Sequence, residues 1–171
     1  MGEGHEITNM KQNSVPVASP ADVASIDAIV TAAYDVISGP AGQERDWNRE
    51  RSLFFPGARL IPTRKETDEP QSQSSLAPQA LDVESFIARS QKFLVNGFFE
   101  KEIARRTEQF GQIAHVWSTY ESRHRADDPQ PFMRGINSFQ LFYDGSRWWI
   151  VTIFWQHENA DHPIPSRYLR L

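Results

Sequence analysis

Arg147-Trp-Trp-Ile-Val-Thr-Ile-Phe-Trp-Gln-His157 decides the fold. In an extended chain, alternate side chains point to opposite sides. Trp148, Ile150, Thr152, Phe154 and Gln156 then share one face, and Trp149, Val151, Ile153 and Trp155 the other. A half-buried strand should alternate apolar and polar residues, yet both of these faces are largely apolar. One face must cover helices. The other needs a separate cover, and no further segment of the chain is an obvious one. The expectation is a two-fold homodimer in which Trp149, Val151, Ile153 and Trp155 meet the same face of a second subunit.

Upstream, Asp144-Gly145 is a hairpin signal, because both residues tolerate positive φ. It joins the 147–157 strand to a strand over Ile136–Tyr143. Two further strands are expected over Phe98–Phe110 and Ile113–Arg125, with breaks at Gly111 and at the Asp127–Pro131 cluster.

Helical periodicity lies earlier in the chain. Ser19-Pro20 opens a helix, with Val23, Ile26, Val30, Ala33 and Ile37 as its stripe, and Gly39-Pro40 ends it. Asp46–Leu53 reads as a short second helix anchored by Trp47 and Phe54. Ala58–Pro62 follows as a short strand. Asp82 caps a third helix, stapled by Leu81 and Phe86, with Val83, Phe86, Ile87, Ser90 and Leu94 buried and Asn96-Gly97 as its stop. Residues 1–18 are polar and aperiodic and read as disordered, whereas 63–80 read as a mobile loop or weak hairpin. Residues 19–171 are expected to form one domain. The order of helices, one short strand and then an antiparallel sheet is an α+β layout.

Composition excludes several functions. The chain has 171 residues, a net charge of -4 and no basic stripe, so nucleic acid is not an expected partner. It has no cysteine, which removes disulfides, thiolate nucleophiles and cysteine metal sites. The run from Trp148 to Trp155 is too short to span a bilayer as a helix, and MGEGHEITNM lacks the pattern of a signal peptide. Met1-Gly2 begins a myristoylation-like start, but Glu6 stands where Ser or Thr is needed. No membrane partner and a cytoplasmic location are therefore expected.

Three motifs, in this order and spacing, resemble the nuclear transport factor 2-like superfamily, with SnoaL-like and ketosteroid-isomerase-like members nearest in style. They are Ile29-Val-Thr-Ala-Ala-Tyr34, Leu53-Phe-Phe-Pro-Gly-Ala-Arg-Leu60 and Gly145-Ser-Arg-Trp-Trp-Ile150. The resemblance spans residues 20 to 158 and implies a cystatin-like roll. In such a roll a cone-shaped, curved, mixed or antiparallel sheet wraps about three N-terminal helices, leaving a pocket at one end. It further implies that Trp148, Ile150, Thr152, Phe154 and Gln156 point inward. Members of such a superfamily are isomerases, dehydratases, cyclases or non-catalytic binders, so fold alone does not choose a function.

The ketosteroid isomerase mechanism needs a carboxylate base and two oxyanion donors, a Tyr and a protonated Asp. Tyr34 matches the tyrosine, Asn137 falls near the second donor, and Ile61-Pro62 stands where the base belongs. An isoleucine cannot abstract a proton, so the usual steroid isomerase chemistry is rejected. Tyr34 also reads as a core tyrosine with a satisfied hydroxyl. His115 is the candidate proton carrier for dehydratase-type chemistry, or else a strand histidine on a solvent face. His115, Trp117, Thr119 and Glu121 are placed nearer the pocket than Ala114, Val116, Ser118 and Tyr120, because they gather polar groups among aromatics. Glu100-Lys101-Glu102 and Arg105-Arg106 read as ion pairs on a solvated face. His115 and His124 have opposite parity, and no metal-binding spacing occurs, so neither a metal nor another cofactor is expected.

The resulting expectation is a homodimer whose conical, apolar pocket binds a small molecule. Its wall would be Tyr34, Trp47, Phe54, His115, Asn137, Trp148, Thr152 and Gln156. As an enzyme it would run cofactor-independent isomerase or dehydratase chemistry on Tyr34 and His115. The alternative is a non-catalytic ligand- or partner-binding accessory domain with its cone filled by aromatics.

Overall fold

A computed structural model describes residues 15–63 and 78–170. The expected 1–18 segment and 63–80 loop therefore lie mostly outside the described residues. The elements run α1 (Pro20–Val23), α2 (Ile26–Ile37), α3 (Trp47–Leu53), β1 (Phe54–Pro62), α4 (Val83–Ser90), α5 (Phe93–Asn96), β2 (Phe99–Phe110), β3 (Ile113–Arg123), β4 (Met133–Tyr143) and β5 (Trp148–His157). A single 3-10 turn, Ser166–Tyr168, follows.

The first expected helix is two. Ser25 is extended, at φ -147 and ψ 166, and its hydroxyl accepts from the Ala28 amide at 3.0 Å. A serine that can cap competes with continued helix, and here the cap wins. Ser19 makes no such bond. Asp46 and Asp82 cap α3 and α4 by accepting from Arg49 and Ser85. Leu81 and Ile87 are buried beside the α4 start.

The five strands form one sheet in the order β1-β5-β4-β3-β2. β2 to β5 are antiparallel neighbours, whereas β1 runs parallel to β5, so the sheet is mixed. β1 starts earlier than the 58–62 stretch suggested. A bulge between Phe54 and Arg59, with Gly57 at φ 86, lets it bend without losing its place. The core lies between the sheet and α2, built on Ile29, Val30, Leu53, Phe54, Leu60, Val116, Phe139 and Ile150.

β5 corrects the expected faces. Its ladder with β4 slips between Ile150 and Thr152, leaving Val151 as an extra residue. One extra residue reverses parity beyond it. Trp148, Ile150, Ile153 and Trp155 therefore pack against the core, while Thr152, Phe154 and Gln156 point away from it. Trp155 meets Phe86 edge-on at 6.3 Å. Ile153 and Trp155, expected on a dimer face, are core residues. The strand is apolar at both parities because its two halves face opposite ways.

The outer face of the sheet also has a cover from its own chain. Beyond β5 the C-terminal segment crosses β2 and β3. Thr119 donates to the Tyr168 carbonyl at 2.6 Å, and Arg106 donates to the Arg167 carbonyl at 3.0 Å. Tyr168 lies on Trp117, ring centres 5.9 Å apart. Beneath this strap Ala104 and Thr119 are each 1% exposed. The remaining outer face carries a cross-strand row: Phe110 opposite Ile113, Ile113 opposite Phe142, and Phe142 opposite Trp149, with Phe55 against both Phe142 and Trp149. No helix among the described residues is long and apolar enough to cross a membrane.

Candidate functional site: a polar chain beside a cavity at the β2 edge

Burial by α2 carries Tyr34 to the inner face of the sheet, where it is 5% exposed. Its hydroxyl lies 2.7 Å from the Ser118 hydroxyl and accepts from the Asn137 side-chain amide at 3.0 Å. Ser118, from β3, donates in turn to a carboxylate oxygen of Glu102 on β2. The other Glu102 oxygen accepts from Arg105 at 2.8 Å. Glu100, one inward position earlier, accepts from Ser122 at 2.8 Å and also bonds Asn137.

A second bulge assembles this set. The β2–β3 ladder slips between Glu102 and Ala104, so Ile103 is the extra residue. It turns Ala104 outward beneath the strap and brings Arg105 inward, where it pairs with Glu102 and with Asp27 of α2. Ser38 pins the two sides together. Its hydroxyl donates to the Tyr34 carbonyl at 2.7 Å and accepts from the Glu100 amide at 3.0 Å.

Beside these groups lies a cavity of about 480 Å³, between α2 and the β2 edge. Tyr34, Ser38, Glu100, Glu102 and Arg105 stand in its wall, and exposed Asp35 and Lys101 stand at its mouth. Glu100 is half-buried, and its carboxyl group is bonded by Ser122 and Asn137. Burial pushes that carboxyl up to about 7, against the pull of the Ser122 and Asn137 hydrogen bonds. Burial also raises Tyr34 above the usual phenol range, and the nearby Glu100 charge adds to the effect. A carboxyl held near neutral can take or give a proton.

The structure brings together two of the expected wall residues, Tyr34 and Asn137. Phe54 and Trp148 sit in the packed core, 2% and 7% exposed. Trp47 is buried outside that cluster, and its indole nitrogen has no partner. Thr152 and Gln156 lie on the opposite side of the sheet because of the Val151 bulge. His115 is on that side too. It bonds Ser138 at 3.0 Å and meets Trp117 edge-on, away from Tyr34. The inward β3 face is Ala114, Val116, Ser118, Tyr120 and Ser122, the reverse of the expected choice. Glu100, Glu102, Ser118 and Ser122 went unrecognised. Two carboxylates at alternate strand positions, opposite serines among apolar neighbours, were the available signal. Among the described residues, no group of His, Asp or Glu is arranged to hold a metal ion.

Neither a protein-family model nor a curated protein sequence matches the chain. Solved structures do match in shape. A nuclear transport factor 2-like protein of unknown function from Silicibacter pomeroyi superposes with a TM-score of 0.52 at 16% identity, covering 79% of this chain and 94% of its own. A cystatin-like protein of unknown function from Nostoc punctiforme gives 0.57 at 10% identity, covering 79% and 90%. A provisionally assigned ketosteroid isomerase from Parabacteroides distasonis gives 0.50 at 10% identity, covering 86% and 98%. At such identities the likeness speaks for architecture alone. The curved mixed sheet over its helices, matched along most of each neighbour, gives this chain the nuclear transport factor 2-like fold.

Proposed function

We propose that the chain binds a small molecule in the cavity between α2 and β2, and that Glu100 and Tyr34 make it competent for cofactor-independent proton transfer of the isomerase or dehydratase type. The observation that carries this reading is the placement of half-buried Glu100 in the same cavity wall as Tyr34. A general base works best when its pKa lies near the operating pH, and burial supplies that here. The base position that Ile61 leaves empty on β1 would then be filled from β2. The pocket wall is mixed, with hydroxyls and paired charges set among a larger share of apolar surface. The provisional isomerase name of the Parabacteroides neighbour agrees with this class of chemistry, though a shared fold does not transfer activity.

The test is a thermal-shift screen of metabolites, followed by turnover assays on any hit and on Glu100→Gln. A native-state ligand raises stability by mass action. Turnover that survives Glu100→Gln unchanged refutes the catalytic assignment. Binding without turnover supports the alternative of a non-catalytic binding domain. The filled cone centre, with Phe54, Phe139, Trp148 and Ile150 in contact, favours that alternative.

We also propose a homodimer through the bare part of the outer face, centred on Trp149 with Phe55, Phe142 and Ile113. Phe110 and Ile113 are 84% and 61% exposed, too much apolar surface in one row to expect bare. A monomer by light scattering at high micromolar concentration contradicts it.

A further inference from the structure

The charges around the cavity are not equivalent. Arg105 is held by Glu102 and Asp27. Arg123 is held by Glu121 and by the Asp128 carbonyl. Lys101 sits 3.5 Å from Glu121. Asp35, at the mouth, pairs with Arg49 at 2.5 Å. Each of these charges has an opposite charge beside it, with Lys101 and Arg123 sharing Glu121. Glu100 is different. Its carboxyl is bonded by Ser122 and Asn137, which are neutral donors, and no arginine or lysine among the described residues pairs with it. A carboxylate partly withdrawn from water without a cation is a costly charge.

The direction of the hydrogen-bond chain adds a second fact. Glu102, salt-bridged to Arg105, can only accept, so the Ser118 hydroxyl donates to it. The Ser118 oxygen must then accept from Tyr34, and the Tyr34 oxygen accepts from Asn137. The phenol proton is therefore turned away from the cavity, while one lone pair of its oxygen remains unused. The Ser38 hydroxyl is engaged by backbone on both sides. What Tyr34 and Glu100 offer a ligand is a pair of acceptors, one of them a negative charge with no cation of its own; the cations of the wall, Lys101, Arg105 and Arg123, already face carboxylates.

We propose that the ligand of this cavity is an organic cation, a protonated primary amine whose N–H groups donate to the Glu100 carboxylate and to the Tyr34 oxygen. The ammonium supplies the charge that Glu100 lacks, and it needs no reversal of the Asn137–Tyr34–Ser118–Glu102 chain. To bond Tyr34, a carbonyl or carboxylate ligand would need that reversal; without it, its donors would have to be Lys101, Arg105 or Arg123, which already face carboxylates. The volume of about 480 Å³ suits a molecule of roughly the size of an aryl- or alkylamine with a short substituent. The proposal rests on the cavity being the binding site and is independent of turnover.

The experiment uses the full chain and three matched probes: phenethylamine, phenethyl alcohol and 3-phenylpropanoate. Affinity is measured by calorimetry, and location by NMR of tyrosine-labelled protein with Tyr34→Phe to assign the signal. At pH about 8, where Glu100 carries its charge, the amine is expected to bind about tenfold or more tighter than the alcohol, and the carboxylate more weakly still. Lowering the pH to about 5.5 protonates Glu100 and should weaken the amine by about tenfold. Glu100→Gln should remove both the preference and the pH dependence. The other charged or titratable groups near Glu100 are Tyr34 and Asp35 on α2, Lys101, Glu102 and Arg105 on β2, and Tyr120 and Arg123 on β3. His124, at the end of β3, is turned to the Gly97 carbonyl and stacked on Phe132 at 4.1 Å. The native pH series stands even if Glu100→Gln fails to fold. If the alcohol or carboxylate shifts the Tyr34 signal and the amine does not, the amine assignment fails and the cavity reading stands. If none of the three moves that signal at millimolar concentration, both fail.

Discussion

The side-chain amide of Asn137 donates to the Tyr34 hydroxyl at 3.0 Å, joining the central strand β4 to α2 across 103 positions of sequence. Both residues are buried, 7% and 5% exposed, so neither has water to fall back on. Removing the phenol oxygen takes a partner from two buried groups at once, the Asn137 amide and the Ser118 hydroxyl, which keep their bonds to Glu100 and Glu102. Tyr34→Phe should therefore lower unfolding free energy by about 1–3 kcal/mol despite keeping the ring. A double-mutant cycle with Ser118→Ala should give a coupling of about 0.5–3 kcal/mol. Additive losses in chemical denaturation would show that the two hydroxyls do not act as a chain.

Two buried carboxyls set a pH dependence of stability. Burial pushes Glu50, on α3, up to about 8 and Glu100 up to about 7. Glu50 is 2% exposed, and one of its oxygens has no partner. Each folded-state value lies above the ordinary carboxylate value, so the native state binds more protons than the unfolded state in between. Stability is thus highest below about pH 4.5 as far as these groups are concerned, and it falls as pH rises toward 7 for Glu100 and toward 8 for Glu50. Glu50→Gln should be near neutral at pH 5 and stabilising by more than about 1 kcal/mol at pH 8.5. Urea denaturation at the two pH values measures this. An equal effect at both would show that Glu50 does not carry the slope.

Much of this architecture is legible in the sequence, and the reasons for the rest are local. The four long strands follow from period-two patterns and from Gly111 and Asp144-Gly145. Asp46 and Asp82 announce their helices as caps. The faces of β2 and β5 are not legible, because each depends on one inserted residue, Ile103 or Val151, whose presence shows only in the ladder with a neighbour. An apolar valine or isoleucine inside an apolar run carries no mark of a bulge. Tyr34 and Asn137 come together as the resemblance implies, whereas His115 lies on the outer face of β3 for another reason: that strand has no slip against β4, and both of its faces mix polar and aromatic residues, so parity alone does not choose between them. Glu100 and Glu102 looked like solvated charges, since nothing local reveals that α2 covers them.

Gly135 on β4 faces Tyr120 so closely that a Cβ there would run into the tyrosine hydroxyl, and it would also lie 2.6 Å from the Gln156 carbonyl. The second contact is backbone in the neighbouring strand and cannot yield cheaply. Gly135→Ala should cost about 1–3 kcal/mol as an overpacked site. The companion change Tyr120→Phe relieves only the hydroxyl contact, so it should restore part of the loss. Full stability of Gly135→Ala by thermal unfolding would mean that the strand spacing is looser than described.

The C-terminal strap should be separable from the core. Replacing Tyr168 with alanine removes its contact with Trp117 and its place between Arg106 and Arg167. Amide exchange is then expected to accelerate in 158–170 and on the outer edge of β2, with little change in β4 and β5. Uniform acceleration throughout would show that the strap is part of the cooperative core.

Among the described residues the one strand that β1 pairs with is β5, with Phe54 beside Ile150 and Pro62 beside Trp155. During synthesis the first strand therefore emerges long before the strand that completes it. Until then β1 has only the Leu60–Leu81 bridge to hold it, and a nascent chain ending at Tyr143 holds helices and a three-stranded meander but no closed core. Such a fold is made late and all at once, and an arrested ribosome would present it to chaperones as an open sheet edge.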